Sequence, residues 1–248
     1  MRIAVISDVH GNLPALEAVL SDIRTRAPDL IINLGDCVTS PLWPRETLEL
    51  LGTLALPTVR GNHDRWIAQA ADAPNSPSIA FARNALTAQQ RSTLGALPAT
   101  LDIADGVLAV HGTPSSDTEY LLEEAVDGRL AFVPATTLAR RIGTVGAGLV
   151  LCGHSHTQHL AAVATDRLVL NPGSVGLPRY AGNPDASLNE AGSPHARYAV
   201  ATRLRGRWSV ELLALAYDWD AVADRATRNG RPEFGREFLG THAQPRSS

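Results

Sequence analysis

Ile3 to Ile6 is an unbroken apolar run, too short for a helix and the right length for a buried strand. Leu13, Leu16, Val19, Leu20 and Ile23 then recur at helical spacing behind Asn12 and Pro14. Leu30 to Leu34 repeats the strand pattern, Thr47 to Leu54 behind Pro44 repeats the helix, and Pro57 to Arg60 reads as a third short strand. Alternation of this kind predicts a mostly parallel sheet with helices packed against it. Thr87 with Gln90 is a capping-box pair that opens a further helix, which ends before Pro98.

Strand patterns dominate from there on. Leu101 to Ala104 and Val107 to Val110 flank Asp105-Gly106, Leu160 to Ala164 and Leu168 to Leu170 flank Asp166-Arg167, and Tyr198 to Leu204 and Trp208 to Leu215 flank Arg205-Gly206-Arg207. Each pair reads as a hairpin. Tyr180 to Pro194, rich in Gly, Asn, Pro and Ser, reads as a loop inside a domain because strand patterns resume directly after it. A last helix near Ala221 to Arg228 is closed by Asn229-Gly230. The expectation is an α/β protein of two packed sheets with outer helices, one domain over residues 1–230, and a loosely ordered tail over 231–248.

Composition changes this picture little. A chain of 248 residues can bury a full core, and 44% apolar with 19% charged residues places it outside the disordered and membrane classes. A formal charge of −3 lacks the basic face that duplex nucleic acid demands. All 22 basic residues are arginine, which with abundant Ala and a single Met fits codon bias in a GC-rich genome. Cys37 and Cys152 are too few for a disulfide framework and read as small buried hydrophobes. No run approaches the ~18 apolar residues of a membrane span, and the first apolar run is too short for a signal segment. The expected location is the cytoplasm, with no membrane partner.

The chemistry lies in five short motifs, each at the end of an apolar run: Asp8-Val9-His10-Gly11-Asn12, Gly35-Asp36, Gly61-Asn62-His63-Asp64, His111-Gly112 and Gly153-His154-Ser155-His156. Strand ends are where α/β sheets bind ligands. Asp8 and His10 are two residues apart, as are His154 and His156, so in extended backbone each pair points to one side. The set mixes carboxylates, imidazoles and one amide, the donor chemistry of a borderline-hard divalent ion rather than of a thiolate zinc or all-oxygen calcium site. Asp8, His10, Asp36, Asn62, His111, His154 and His156 are more ligand-type residues than one ion needs. Two ions ~3.5–4 Å apart sharing a carboxylate would use them all, and that arrangement suits phosphoryl transfer to water.

The ordered series D-x-H, G-D, G-N-H-D, H-G and G-H-x-H resembles the calcineurin-like metallophosphoesterase superfamily. The longer D-V-H-G-N-L and N-P-G-S-V-G (Asn171 to Gly176) resemble its small bacterial and archaeal predicted phosphodiesterases. The resemblance spans residues 8 to 176 and implies a four-layer αββα sandwich of two mixed β-sheets flanked by helices. It implies that Asp8, His10 and His156 bind a first metal, that Asp36 bridges, that Asn62, His111 and His154 bind a second, and that His63 protonates the leaving oxygen. Mn²⁺ leads as the metal, with Fe²⁺, Zn²⁺, Ni²⁺ or Co²⁺ as alternatives. The implied reaction is hydrolysis of a small phosphodiester or nucleotide-type substrate by a hydroxide bridging the ions, with His63 kept charged by the phosphate or by Asp64.

Departures from relatives narrow this expectation. Protein phosphatases of the superfamily carry G-D-x-V-D-R-G, whereas this chain has Gly35-Asp36-Cys37-Val38-Thr39-Ser40 without the Asp-Arg pair. The alternatives within enzymes are a phosphomonoesterase or a dinucleoside polyphosphate hydrolase, and outside them a non-catalytic scaffold, against which the complete set of seven ligand-type residues counts. Arg179 is a candidate phosphate contact with a surface role as the alternative. Trp43 and Trp66 read first as core aromatics. Oligomeric state has no signal in the sequence.

Overall fold

The computed structural model describes residues 1–103, 106–164, 167–181 and 188–239. In chain order the elements are β1 (Arg2–Ile6), α1 (Leu13–Arg26), β2 (Leu30–Asn33), α2 (Pro44–Leu54), α3 (Asn62–Ala68), α4 (Pro77–Ala85) and α5 (Ala88–Gly95). These are followed by β3 (Thr100–Ile103), β4 (Val107–Val110), β5 (Glu123–Val126), β6 (Arg129–Phe132), α6 (Ala135–Ile142) and β7 (Leu149–Leu151). The chain then runs through β8 (His159–Ala164), β9 (Arg167–Asn171), β10 (Arg179–Ala181), β11 (Leu188–Glu190), β12 (Ala196–Leu204), β13 (Arg207–Leu215), α7 (Trp219–Arg228) and α8 (Pro232–Gly235).

Two mixed sheets face each other, one ordered β13-β12-β1-β2 and the other β3-β4-β7-β9-β8. The apolar runs are continuous because each strand is covered on both faces, and the period of two deals its residues to different cores. Ile3 and Val5 of β1, Ala199 and Ala201 of β12, Val107 and Ala109 of β4, and Leu149 and Leu151 of β7 fill the space between the sheets. The alternate residues Ala4, Ile6, Tyr198 and Val200 turn outward to Leu16, Val19 and Ile23 of α1 and to Ile67 and Leu94. Leu108, Val110, Val150 and Val169 turn outward from the second sheet to Leu138 and Ile142 of α6. The result is the αββα sandwich, and its sheets are mixed: β1 pairs parallel with β2 and antiparallel with β12, and β7 pairs parallel with β4 and β9.

Local signals act as expected at several ends. Asn12 Oδ1 accepts the Ala15 N–H at 3.2 Å to cap α1, and Thr87 and Gln90 close a reciprocal capping box on α5. The three hairpin pairings form as β3–β4, β8–β9 and β12–β13, all antiparallel.

Three segments differ from expectation. Pro57 to Arg60 makes only a single parallel bridge, Asn33 with Thr58. Pro57 has no N–H to give, and the Arg60 N–H turns away to the Pro98 carbonyl, so the ladder stops there. Within the segment read as a loop, β10 and β11 pair antiparallel, and β11 joins β6 in a third sheet ordered β10-β11-β6-β5. Residues 182–187 between them lie outside the described residues. In the segment read as a loose tail, 231–239 carry α8 and the fully buried Phe238, which packs with Leu42, Leu177, Val222 and Ala226. The rest of that segment, 240–248, lies outside the described residues. No helix among those described is long and apolar enough to cross a membrane.

Candidate metal centre

Four of the five motifs follow the C-terminal ends of β1, β2, β4 and β7 and the fifth, Gly61-Asn62-His63-Asp64, opens α3, and the backbone ties them together before any side chain acts. The N–H groups of Asp8, His10 and Gly11 donate to the carbonyls of Gly35, Asp36 and Cys37 at 3.0, 2.9 and 3.0 Å, so the loop after β1 is zipped to the loop after β2. The Gly153 N–H donates to His111 O at 2.8 Å, joining the β7 and β4 ends in the same way.

Asp8, His10, Asp36, His154 and His156 have φ of 55, 47, 57, 67 and 58°. They are five of the nine non-glycine residues with positive φ among those described; of the other four, Ala27 and Ala55 end helices and Asp127 and Arg205 sit at hairpin turns. Non-glycine residues avoid this region, so its concentration here marks backbone held by its surroundings at a functional site. It also corrects the spacing argument. The pairs two apart lie on left-handed turns rather than extended strand, and His154 and His156 diverge into different groups.

Asp8, His10 and His156 each place one ligand atom within 4.8 Å of the others, and so do Asp36, His111 and His154. His10 Nε2 lies 3.2 Å from His156 Nε2, and Asp8 Oδ1 lies 3.3 Å from His156 Nε2. Asn62 Oδ1 lies 2.9 Å from His111 Nε2 and so joins the second group. Asp36 Oδ2 stands between the groups, 3.4 Å from His111 Nε2 and 3.7 Å from His10 Nε2. The structure thus brings all seven ligand-type residues together, and Asp36 is the one positioned to serve both groups.

The donor chemistry fits a cation. The Nδ1 atoms of His10, His156 and His111 face the carbonyls of Thr39, Leu177 and Leu34 at 3.1, 2.9 and 2.7 Å. With Nδ1–H donated there, a ring in its neutral form presents its Nε2 lone pair. His10 and His156 then aim two lone pairs at one point, and Asp8 Oδ1 beside them is buried without a hydrogen-bond partner. Lone pairs converging in a buried space need a cation to be stable. His154 differs: its Nε2 meets Thr118 O at 3.1 Å, which turns Nδ1 toward the role of ligand, and Tyr120 stacks on its ring at 4.7 Å.

Protonation points the same way. Burial would raise the Asp8 carboxyl, but His156 and His111 outweigh it and hold it at about 2. Asp36 is likewise lowered well below the usual range, its burial overcome by His111, His63 and His10. Burial and neighbouring histidines push His10 down to about 3 and His154 to about 4, so both are neutral at pH 7. His111 is the exception: burial opposes its charge, yet Asp36 and Asp8 raise it to about 10. The two carboxylates demand positive charge at this spot, which a divalent ion would supply in place of a proton.

His63 occupies the first turn of α3, its N–H donating to Asp36 Oδ1 at 2.9 Å. Its ring stands edge-on to His10 at 5.2 Å and to Trp66 at 4.9 Å, and its buried Nδ1 has no hydrogen-bond partner. Burial lowers its pKa against the pull of Asp36. Asp64 does not hold its charge. The Asp64 carboxyl accepts the backbone N–H groups of Asp36, Cys37 and Gly61 at 2.8, 3.0 and 3.0 Å, pinning the Asp36 loop to α3. That is why a glycine precedes Asn62: a Cβ at Gly61 would collide with the Asp36 carboxylate.

Sequence reasoning missed Glu123. It is 2% exposed, and its carboxylate accepts the Ser155 hydroxyl at 2.8 Å in the middle of Gly153-His154-Ser155-His156. Asn171 Nδ2 donates to the same hydroxyl and to Gly153 O, while Ser174 Oγ donates to Asp8 O. The Asn171-Pro172-Gly173-Ser174 turn is therefore a clamp on the left-handed segments. Glu123→Ala is expected to weaken Mn²⁺ binding ~10–100-fold, as outer-shell losses do, while Glu123→Gln keeps an oxygen for Ser155 and most of the affinity. Calorimetric titration checks this, and unchanged affinity in Glu123→Ala would detach the clamp from the histidines. Asp127-Gly128, the same dipeptide signal that marked another hairpin, was the available pointer to β5–β6.

Among the other candidates, Cys37 and Cys152 are buried free thiols, pushed up by burial. Trp66 packs beside the first helical core, and Trp43 packs in the cluster around Phe238, with the Arg225 guanidinium over its ring. The Arg179 side chain lies outside what the structure describes.

These layers, with a strand-end carboxylate and imidazole site, are those of metallophosphoesterase folds. The crystal structure of a metallophosphoesterase from Sphaerobacter thermophilus matches with a TM-score of 0.73 and 28% identity, over 97% of this chain and 99% of that one. A protein of Pyrococcus horikoshii OT3 shares the fold with a TM-score of 0.77 at 21% identity, over 98% and 99% of the two chains. An uncharacterised protein of Methanocaldococcus jannaschii is 28% identical over a 264-residue alignment covering 96% of this chain and 98% of the other. The family model of the calcineurin-like phosphoesterase superfamily domain matches residues 1–191. The chain belongs to that superfamily, a family of phosphoesterase hydrolases that implies divalent metal ions.

Proposed function

We propose that this protein is a dinuclear-metal phosphoesterase that hydrolyses a small phosphodiester or nucleotide-type substrate. The observation that supports this reading most is the place of Asp36, whose Oδ2 lies 3.7 Å from a histidine of one ligand group and 3.4 Å from a histidine of the other. Asp8, His10 and His156 would hold one ion, and Asn62, His111 and His154 the other, with Asp36 common to both. Two divalent ions held there would supply Lewis acidity to phosphoryl oxygens and lower the pKa of water toward neutrality.

The chain's own residues do the rest. Neighbouring histidines keep Asp8 and Asp36 ionised against their burial, and burial keeps His10 and His154 neutral, the states in which they donate lone pairs. Thr39, Leu177 and Leu34 fix the ring orientations of His10, His156 and His111 through their carbonyls. His63, with a ring nitrogen not committed to the protein, is placed to give a proton to the departing oxygen. The negative charge of a phosphodiester beside it favours the charged imidazolium that burial disfavours.

A metal-supplemented assay tests the reading. With Mn²⁺ the protein is expected to turn over an aryl phosphodiester faster than the matching aryl phosphomonoester, and chelation is expected to abolish both. Preference for the monoester would move the assignment to a phosphomonoesterase. Inactivity on both with Mn²⁺, Ni²⁺, Co²⁺, Fe²⁺ and Zn²⁺ would overturn it.

A further inference from the structure

A cavity of about 580 Å³ opens beside the first ligand group, between the β5–β6 hairpin and the ends of β12 and β13. Its lining includes His156, Glu123, Arg129, Phe132, Gln158 and Arg197. The volume falls within the ~300–1,000 Å³ of small-molecule sites. Because His156 is part of its wall, whatever fills it lies next to the first ligand group.

The third sheet supplies one whole side of this space, and its side chains are not those of a packed core. Phe132 is 51% exposed, although it is the largest apolar residue of the hairpin. One face of its ring is stacked on His159, with centroids 3.7 Å apart and planes 17° from parallel. A ring pre-stacked on one side and exposed on the other is a platform for a second planar group. Leu130, Ala191 and Ala214 add apolar surface, and Arg129 adds a cation at the rim.

Two of the polar lining residues are built in as frame. The Arg197 guanidinium donates to the oxygens of Ala191, Ser193 and His195, and the Gln158 amide nitrogen donates to the Tyr198 and Leu213 carbonyls. Those bonds tie the cavity wall to the edge of the first sheet. Phe132 and Arg129 remain as the groups turned to a ligand, and Glu123 offers a carboxylate oxygen at the buried end. His63, the acid proposed for the leaving oxygen, is not part of the lining.

The geometry points to a specificity subsite: this cavity receives the ester group that stays on phosphorus, and it selects one that carries a planar heteroaromatic ring of nucleoside size, stacked on Phe132. This rests on the phosphoesterase reading above and narrows its substrate class.

Three diesters sharing the p-nitrophenolate leaving group test it with the Mn²⁺-loaded protein: methyl, phenyl and thymidine-5′ p-nitrophenyl phosphate. The shared leaving group holds the chemistry constant, so differences in KM report on the retained group. The thymidine ester is expected to have a KM ~10-fold or more below that of the methyl ester, the range of one base–aromatic stack. Phe132→Ala is expected to collapse the thymidine-to-methyl ratio of kcat/KM, through KM rather than kcat, and Phe132→Tyr, which keeps the ring, is expected to restore it. Equal KM values across the three esters, or a ratio untouched in Phe132→Ala, would overturn the subsite while leaving the phosphoesterase reading intact. No turnover of any ester with any of the five metals would overturn that reading and the subsite with it.

Discussion

Asp36→Asn is expected to lower turnover of an aryl phosphodiester by more than ~10²-fold, beyond the ~10–100-fold that outer-shell partners of a metal site command. The asparagine is nearly the same shape, and its amide oxygen can still accept the His63 N–H that Asp36 Oδ1 accepts at 2.9 Å. The Asp64 carboxyl still ties the same loop to α3 through the backbone N–H groups of residues 36 and 37. What changes is charge. The oxygen shared between His10 and His111 loses its negative charge, and the strongest influence holding His111 at about 10 goes with it. Both ligand groups are therefore weakened by one substitution, and elemental analysis is expected to find fewer than two ions per chain under conditions that fill the wild type. A variant that unfolded like the wild type, held two ions and kept full turnover would remove Asp36 from its shared position. Asp8→Asn provides the contrast: the Asp8 carboxylate faces the ring nitrogens of His10 and His156 in the first group and meets the second through the His154 backbone N–H, not a ring, so its loss is expected to leave one ion bound.

The architecture was legible where covalent periodicity decides it. Ile3 to Ile6 and Val107 to Val110 read as strands because both faces are buried, and the two-residue period then sends alternate side chains to the inner and outer cores. The ligand-type residues were legible because each lies in a short motif at the end of an apolar run. Their geometry was not. Nothing in Asp8-Val9-His10 announces that Asp8 and His10 take left-handed backbone, since that conformation is held by bonds to Gly35 and Asp36 in the loop after another strand. The same holds for Asp64, which reads as a partner for the neighbouring His63 but spends its oxygens on the backbone of residues 36, 37 and 61. Glu123 was hidden for a related reason. It lies in a polar hairpin with no apolar alternation, and its partner Ser155 is thirty-two positions away. Residues that contact ligands leave local motifs, while those that hold ligands in place are defined by long-range contacts a single sequence does not display.

His63→Ala is expected to lower kcat by ~10²–10⁴-fold on an alkyl phosphodiester, the range of general acid catalysis, with both ions still bound. Retention of metal follows from geometry, because Asp36 and its neighbours are held through the His63 backbone N–H rather than its ring. The loss should depend on the leaving group. An alkoxide needs a proton to depart, whereas p-nitrophenolate departs as a stable anion, so the same variant is expected to lose far less on a p-nitrophenyl ester. This contrast separates proton donation from packing. The ring fills space against His10 and Trp66, and a purely steric role would depress both substrates alike. His63→Gln, which restores bulk and hydrogen bonding without an acidic proton, is expected to behave like alanine on the alkyl ester. Burial lowers the pKa of His63, so in the free protein the ring is increasingly neutral as pH rises through that lowered value. A bound phosphate anion opposes this, and the alkaline limb of kcat is expected at higher pH than that of kcat/KM. Equal losses on alkyl and p-nitrophenyl esters, or full turnover of the alkyl ester by His63→Ala, would assign the proton to another donor.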